Sequence, residues 1–341
     1  MDRRRFLAAA SLLPVAGRLR AAAPTRRVTD LFGRPVDLPP TIARIATAGG
    51  SPAVNAFLFL FGQGAKILTG LPPQFDGPLW RFQRRFGPHI ADGPVVSGPP
   101  PAWAPDVEAL LRLAPDLTFV VSREAGERLA RAALPAVGLA WHDADGVERT
   151  VRLLTEVFAL PGRGAAWFAW RERLLGAIAA ATTNAPTRPR VLYASMARMR
   201  QPIMVPANRL IALAGGVSVT ESANPLGLDV FPFSVEQLID WAPQCIVTAF
   251  PREVDAVLAD PRLRQVPAVR EGRVFAVPRG AHLWTHYTPE QPLGALWLAH
   301  RLHPGRLHGL DPRAETHAFY RDFFATELEP HELTDILRES A

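Results

Sequence analysis

The sequence contains very little cysteine and none of the short motifs that mark several common enzyme classes. Cys245 is the single cysteine among 341 residues, so the chain can form no internal disulfide. The apolar run at 6–17 falls short of the roughly 20 residues that a membrane helix needs, and no later segment approaches that length. No G-x-S-x-G elbow, G-x-x-x-x-G-K-S/T phosphate loop or H-E-x-x-H zinc motif occurs. An enzyme is therefore the less favoured class of function.

Positive charge is concentrated at the start of the chain. The formal charge is +6, and the first 23 residues hold five arginines against one aspartate. Arg3, Arg4 and Arg5 precede the apolar run and the alanines at 21–23, an order typical of an export signal. The arrangement resembles a twin-arginine signal, and a plain basic tail is the alternative. We expect residues 1–23 to direct export to the periplasm without a lipid anchor, and nucleic acid is not an expected partner.

One segment of the sequence occurs twice, 128 residues apart. Residues 107–120 (VEALLRLAPDLTFV) and 235–248 (VEQLIDWAPQCIVT) each predict a short helix, a proline stop and a buried strand. Each copy places one glutamate, Glu108 or Glu236, in the first turn of its helix. The repeat therefore predicts two lobes of like architecture, each presenting a carboxylate at the same structural position.

Predicted strands and helices alternate with short connections, which favours an α/β fold with mainly parallel sheets. A hairpin is predicted over 27–39, strands at 42–47, 66–71, 117–121, 136–140, 190–195 and 273–277, and helices at 53–61, 124–133, 209–214, 253–258 and 292–302. Residues 72–105 show no clear element, and a loop of that length in a compact domain is usually functional.

The chain divides into four predicted segments. They are a signal at 1–23, an N-terminal α/β lobe at 24–160, a connector helix at 161–185 and a C-terminal α/β lobe at 186–341. Pro161 and Gly162 separate two helical stretches, and the second carries a broad apolar face. That face favours a rigid connector between the lobes, and an ordinary lobe helix is the alternative.

Six short pieces, in order and at plausible spacings, resemble the periplasmic binding proteins of ABC importers for iron–siderophore complexes, haem and vitamin B12. They are Arg44-Ile45 with Gly49-Gly50-Ser51, Val107-Glu108 through Pro115-Asp116, residues 213–217 (LAGGV), residues 234–243 (SVEQLIDWAP), Val266-Pro267-Ala268 with residues 272–277 (GRVFAV), and Trp284 followed by Pro292-Leu293. The resemblance covers roughly residues 27–305. It implies two Rossmann-like lobes joined by a single long helix, and a ligand held in a shallow cleft with limited lobe movement.

Paired glutamates of this family contact arginines of the membrane permease, and the resemblance carries that role to Glu108 and Glu236. Both glutamates lie at helix N-termini, where the dipole favours a negative charge by about 0.3–1 kcal/mol. Ser234 and Gln237 match a capping box that leaves the Glu236 carboxylate free to point outwards, and Asp106 is the equivalent cap in the first copy. The alternative is that both glutamates are ordinary first-turn acids.

Candidate ligand contacts lie in loops at the carboxyl ends of the predicted strands, where open α/β sheets bind ligands. Arginine with interleaved aromatic side chains suits an anionic, partly flat ligand. We expect the cleft to be lined by Ser51, Trp80, Arg84, Arg85, Tyr193, Arg198, Arg200, Phe231, Trp284, His286 and Tyr287. A solvated surface loop is the alternative for the arginines at 81–85, and core packing is the alternative for Trp284.

The sequence thus predicts a monomeric periplasmic protein that delivers a ferric siderophore-type chelate to an ABC permease and its ATPase. Haem, cobalamin and molybdate or tungstate are alternative ligands, and haem would need an axial donor such as Tyr193, His286, Tyr287 or His89. No resident cofactor is expected, and contact between protein and metal is left open. A periplasmic sensor would use the same fold.

Overall fold

A computed structural model describes residues 26–99, 102–141, 145–202, 204–224 and 230–338, so the predicted signal at 1–23 lies outside the described residues. The helices are α1 (Ser51–Leu60), α2 (Arg81–Phe86), α3 (Val107–Leu113), α4 (Arg123–Arg131), α5 (Gly146–Phe158), α6 (Pro161–Thr182), α7 (Met204–Leu213), α8 (Val235–Trp241), α9 (Pro251–Ala259), α10 (Pro267–Arg270), α11 (Gln291–Leu302), α12 (Pro312–Phe324) and α13 (Pro330–Leu337). The strands are β1 (Arg26–Thr29), β2 (Pro35–Leu38), β3 (Ile45–Thr47), β4 (Leu117–Val120), β5 (Ala136–Gly138), β6 (Arg190–Ala194), β7 (Arg200–Pro202), β8 (Val217–Ser218), β9 (Val230–Pro232), β10 (Cys245–Thr248) and β11 (Val274–Ala276).

The first lobe is built on a three-stranded parallel sheet in the order β3-β4-β5. All three strands are fully buried, as expected for parallel strands that are covered on both faces. Helix α3 leads into the central strand β4, and Asp106 caps it by accepting from the Ala109 amide at 2.9 Å. The helix ends at Ala114 in the left-handed conformation, directly before Pro115.

The second lobe is built on a four-stranded parallel sheet in the order β11-β10-β6-β8. Helix α8 leads into the inner strand β10 just as α3 leads into β4, and it too ends at an alanine, Ala242, in the left-handed conformation before a proline. The predicted capping box between Ser234 and Gln237 is present at the start of α8. The sequence repeat is therefore a structural repeat that supplies an inner strand to each sheet.

Helix α6 connects the two lobes in sequence. It begins with Pro161 in its first turn, where a backbone N–H would have no acceptor within the helix, so that the missing N–H of proline costs nothing. The helix runs for 22 residues. Trp167, Leu174 and Ile178 are buried along one of its faces, and the helix packs against α5, α7 and α11. A long helix thus stands where the connector was predicted, and the limits of the lobes themselves remain a prediction.

The last helices return from the second lobe to the first. Phe324 at the end of α12 lies 5.6 Å from Phe59 in α1 and 5.0 Å from Phe86 in α2, between ring centroids. Tyr320 stacks on Phe86 at 5.1 Å. Side chains from both lobes consequently belong to one continuous hydrophobic core.

Three segments differ from the sequence prediction. Residues 66–71 do not form a strand, because Gly64–Lys66 is a 3-10 turn and Ile67 makes only a single bridge to Ile45. The segment 72–105 contains α2 and several proline-initiated 3-10 turns rather than a plain loop. The antiparallel pair β7 and β9 was not predicted at all. None of the helices within the described ranges is long and apolar enough to cross a membrane.

Candidate functional site

A cluster of buried polar side chains lies at the carboxyl end of the second sheet. Tyr193 belongs to β6, Phe250 follows β10, and Arg279 follows β11. Trp80 covers this cluster from the first lobe, where it stands just before α2. The arrangement places the cluster at the edge of the sheet where α/β proteins bind ligands.

Arg279 is the central group of the cluster. Its side chain is 1% exposed, and the guanidinium carbon lies 4.6 Å from the Trp80 ring centroid and 5.6 Å from that of Phe250. One nitrogen, Nη2, donates to the Ala249 carbonyl at 3.3 Å. The other two, Nε and Nη1, are buried and have no acceptor within the described part of the chain.

The charge of Arg279 is uncompensated. Burial lowers its pKa from 12.5 to about 10, so the guanidinium remains charged at neutral pH. No carboxylate among the described residues forms an ion pair with it. A buried charge is costly unless it is paired, so this position has the chemistry to bind an anion.

Two histidines lie beside this charge. The rings of His282 and His286 are 4.2 Å apart, and His282 lies 5.1 Å from Trp80, between ring centroids. Burial lowers the pKa of His282 well below its usual range, and it lowers the pKa of His286 from 6.5 to about 3. Both imidazoles are therefore neutral, and Nδ1 of His282 accepts from the Leu283 amide at 2.8 Å, which leaves Nε2 to carry the proton.

Tyr193 supplies a further neutral donor. Its side chain is 2% exposed, and burial raises the pKa of its phenol, while the nearby charge of Arg279 acts in the opposite direction. The Ser195 hydroxyl, just beyond β6, donates to the buried carboxylate of Glu253 at 3.1 Å. The carboxyl end of β6 is thus fixed in place next to the arginine.

Gln83 joins the first lobe to the loop that carries Arg279. Its Nε2 donates to the Pro52 carbonyl at 2.9 Å and to the Ala281 carbonyl at 2.6 Å. Its Oε1 accepts from Asn55 at 2.9 Å. Ser51 begins α1 next to Pro52, and its buried hydroxyl has no partner within the described residues. The start of α1 and the arginine loop therefore meet across one buried amide.

Several residues predicted to line the cleft lie in or near this cluster, while one lies behind it. Trp80, Tyr193 and His286 are part of the cluster, and Ser51 is tied to it through Gln83. Tyr287 is half-buried and stacks on Trp141 with ring centroids 6.5 Å apart. Trp284 is fully buried in the hydrophobic core. Core packing was the alternative role given for this residue in the sequence analysis.

The arginines of the predicted aromatic loop are engaged elsewhere. Arg84 forms an ion pair with Asp76, and Arg85 contacts Glu332 in α13 with Nε 3.1 Å from the carboxylate. Arg81 likewise pairs with Asp335. These contacts neutralise the loop at the surface, so the expectation that Arg84 and Arg85 face a ligand is not supported by their position.

The remaining predicted contacts lie on, or just before, the antiparallel strand pair β7 and β9 of the second lobe. Arg198 is exposed on a 3-10 turn, and Arg200 and Phe231 lie on the paired strands β7 and β9. The Phe231 ring stacks on Trp241 of α8 with centroids 6.2 Å apart. This strand pair therefore packs toward α8, and its predicted role in ligand binding stays a prediction.

Sequence reasoning missed Arg279, His282 and Gln83. Arg279 stands three residues after the end of β11, so the rule that ligands bind beyond the carboxyl ends of parallel strands points to it. His282 and Gln83 carry no such signal, since only the packing of α2 on the loop makes them neighbours. Within the described residues, no three histidine, cysteine or acidic side chains converge as a metal site would require.

The two glutamates of the repeat are both exposed on short helices. Glu108 forms an ion pair with Arg112 one turn later, with a separation of 2.5 Å. Backbone and Ser234 hydrogen bonds at the start of α8 lower the pKa of Glu236, so this carboxylate is charged at neutral pH. Each lobe thus presents one negative charge at the same place in its repeat.

Comparison with known proteins agrees with this architecture. A family model described as periplasmic binding protein matches residues 95–280. The molybdate-binding protein MolA of Haemophilus influenzae is 24% identical over 335 residues, which cover 89% of this chain and 92% of that protein. Its molybdate-bound structure superposes with a TM-score of 0.75 at 21% identity, over 89% of this chain and 99% of that chain. A periplasmic solute binding protein from Veillonella parvula superposes with a TM-score of 0.79 at 20% identity, over 92% and 97% of the two chains.

Two α/β lobes with a buried polar cluster at the carboxyl end of the second sheet define a solute-binding protein. The chain belongs to the periplasmic binding protein family, since the matched segment spans more than half of its length. It is the periplasmic solute-binding component of an ABC importer, which makes a permease and an ATPase its partners and a small molecule its ligand. Its relatives are transport proteins, in keeping with a protein that binds rather than catalyses.

Proposed function

We propose that this protein captures a small tetrahedral oxyanion of the molybdate and tungstate class for import. The observation that carries the proposal is Arg279, a buried cation whose Nε and Nη1 donors have no acceptor within the described chain. A dianion with four oxygen acceptors would satisfy both donors at once; the guanidinium balances one of its two charges, and neutral donors would have to bind the oxygens that carry the other.

The surrounding groups suit the same ligand. Tyr193 and the two histidines are neutral donors, so they can bind oxygen without adding a charge that must itself be buried. Arginine contributes a planar fork of donors that matches oxyanions in both geometry and charge. The name of the relative MolA, and the molybdate in its structure, support the same ligand class.

A ferric chelate, the ligand expected from the sequence, is the principal alternative. That expectation drew on the family resemblance and on arginines with interleaved aromatics in both lobes, and two of those arginines, Arg84 and Arg85, are paired with carboxylates at the surface. A chelate many times larger than an oxyanion would also have to displace Trp80 from Arg279 and break the Gln83 bridge. Haem and cobalamin meet the same obstacle.

Calorimetric titration of the purified exported protein tests the proposal. Molybdate and tungstate should bind with one site per chain, while a ferric siderophore and haemin should give no heat of binding. Arg279→Gln should weaken oxyanion binding by roughly 100-fold, because a buried charge-assisted contact is lost. Arg85→Gln is the matched control, and it should bind as the unchanged protein does because Arg85 is paired at the surface.

Two results would count against this ligand. Stoichiometric binding of the ferric chelate or haemin without an oxyanion response would restore the ligand expected from the sequence. A loss of binding in Arg85→Gln with full binding in Arg279→Gln would move the site to the aromatic loop.

We further propose that Glu108 and Glu236 dock the protein on arginines of its permease. Both carboxylates are exposed, and the Glu108–Arg112 pair must open at a cost of no more than about 1 kcal/mol, as is usual for surface ion pairs. Charge reversal at both positions should abolish uptake in cells and leave ligand affinity unchanged. An altered affinity would show that the glutamates act on the ligand site instead.

We also propose that residues 1–23 export the folded protein through a twin-arginine pathway and that the protein acts as a monomer. The arginines at 3–5 before an apolar run support the first point. Replacing all three by lysine should leave the protein in the cytoplasm, as fractionation would show.

Light scattering of the purified protein would show whether it is a monomer.

A further inference from the structure

Glu290 is a fully buried carboxylate that does not belong to the polar cluster, yet it binds the loop that carries Arg279. It stands directly before α11 and is 0% exposed. Its Oε1 accepts from the Ala281 amide at 2.8 Å, and its Oε2 accepts from the His282 amide at 3.2 Å. The hydroxyl of Tyr320, from α12, donates to the same carboxylate.

The loop is held closely on this side. Gly280 lies directly over the pair, since a Cβ atom at this position would overlap both the Tyr320 hydroxyl and the Glu290 carboxylate. One residue earlier, the Arg279 amide donates to the Ile336 carbonyl in α13 at 3.0 Å. The backbone is therefore held by α13 at Arg279 itself and by the Glu290 and Tyr320 side chains just after it.

We propose that Glu290 and Tyr320 are positioning residues that hold Arg279 and His282 in place for the ligand. Through them, helix α12 sets the affinity of a site that it does not itself touch. This inference rests on the oxyanion function proposed above, and it assigns no ligand contact to either residue.

The physical reason is that a single carboxylate orders two consecutive loop residues, Ala281 and His282. It accepts from two neighbouring backbone amides, which a side chain with one acceptor oxygen cannot do equally well. The third donor, Tyr320, fixes the carboxylate itself and is anchored by stacking on Phe86. A guanidinium on a loop held in this way needs no further ordering when the ligand arrives, which is how preorganisation raises affinity.

Glu290→Gln and Tyr320→Phe test the proposal, with Leu129→Ala as a control for stability. Leu129 is fully buried in α4 and belongs to a separate hydrophobic cluster, so its loss should lower the melting temperature without changing the loop. Two quantities are measured in each variant: amide hydrogen exchange over 279–284 without ligand, and the dissociation constant for molybdate.

Glu290→Gln should speed exchange at Ala281 and His282 and weaken molybdate binding by about tenfold, because one of the two oxygens that accept from these amides is replaced by a donor. Tyr320→Phe should have the same effects to a smaller degree, about threefold, because only one of the three donors is removed. Leu129→Ala should leave both the exchange over 279–284 and the dissociation constant unchanged.

Unchanged exchange over 279–284 in Glu290→Gln would overturn the inference. So would faster exchange with unaltered affinity, or an equal loss of affinity in Leu129→Ala. If the unchanged protein binds neither molybdate nor tungstate, the proposed ligand is wrong, and the exchange measurement still decides whether Glu290 and Tyr320 order the loop.

Discussion

Arg279 places a positive charge in the interior of the protein, and two of its three guanidinium nitrogens have no hydrogen-bond acceptor within the described residues. The rings of Trp80 and Phe250 stabilise the guanidinium only in part, since a cation over an aromatic face contributes on the order of 1–2 kcal/mol when desolvated. The ligand-free protein is accordingly less stable than its packing would allow, and the oxyanion proposed above would supply the missing partner.

Replacing this charge should therefore separate stability from function. Arg279→Leu should raise the free energy of unfolding of the ligand-free protein by about 1 kcal/mol, because a buried unpaired charge is exchanged for an apolar side chain. The same variant should no longer be stabilised by added molybdate. Denaturant unfolding with and without the oxyanion measures both effects, and a less stable ligand-free variant would contradict the account of an uncompensated charge.

Glu290 should lower the free energy of unfolding as the pH rises from 4.5 to 7. Its pKa is raised from 4.5 to about 7 by burial, so between these values the folded chain holds a proton that the unfolded chain releases. The loss amounts to about 3 kcal/mol between pH 4.5 and 7. Because the buried histidines act in the opposite sense below pH 6.5, the informative quantity is the difference in the free energy of unfolding between the unchanged protein and Glu290→Gln, which should fall as the pH rises from 5 to 7 and can be measured by denaturant unfolding of both proteins across pH 5–8.

His286 acts in the opposite direction at lower pH. Its pKa is lowered from 6.5 to about 3, so below pH 6.5 the unfolded chain takes up a proton that the folded chain refuses. Stability is therefore lost as the pH falls from 6.5 toward 3. A difference between the unchanged protein and Glu290→Gln that stays constant from pH 5 to 7 would mean that Glu290 does not titrate as described.

At the scale of elements, the two copies of the repeat share even their backbone strain. Helices α3 and α8 end at Ala114 and Ala242, with φ of 46° and 42°, a conformation that costs an L-residue about 1–2 kcal/mol and glycine much less. Ala114→Gly and Ala242→Gly should each raise the free energy of unfolding by about 0.5 kcal/mol after glycine's larger entropy loss on folding. Denaturant unfolding of the two single variants measures this, and opposite signs at the two sites would contradict their equivalence.

The repeat also explains which elements could be predicted. A short helix, a proline and a buried strand are local patterns, and both copies were predicted correctly down to the capping box at Ser234. The strand predicted over 66–71 was wrong. Its apolar residues fit a strand, but Gly64 and Gly70 approach other backbone segments so closely that there is no room for a regular strand. Helix α2 was missed because only six residues form it and prolines flank it.

At the scale of the whole molecule, the C-terminal helices make the two lobes depend on one another. Phe324 packs between Phe59 and Phe86 of the first lobe, although it follows the second lobe in sequence. Arg163, in the first turn of the connector α6, donates to the Leu60 carbonyl at 2.6 Å and to the carbonyl of Asp322 at 3.0 Å. The core that results is continuous through both lobes.

Phe324→Ala should consequently destabilise the entire protein rather than its C-terminus alone. Removing a buried phenylalanine from a core costs about 3–5 kcal/mol. Because the core is shared, circular dichroism and tryptophan fluorescence should report a single transition at a lower denaturant concentration. Two separate transitions would show that the lobes unfold independently.

The sequence by itself determined the α/β class, the repeat, the long helix from Pro161 and the kinship with periplasmic binding proteins, because each depends on residues that are neighbours along the chain. Only the tertiary structure decided the composition of the polar cluster. Arg279, His282 and Gln83 come together across the lobes, while Arg84 and Arg85 turn to acids of the chain's own C-terminal part and its neighbouring loop. Which arginine is left without a partner depends on where distant acidic residues fold, and no local pattern records that.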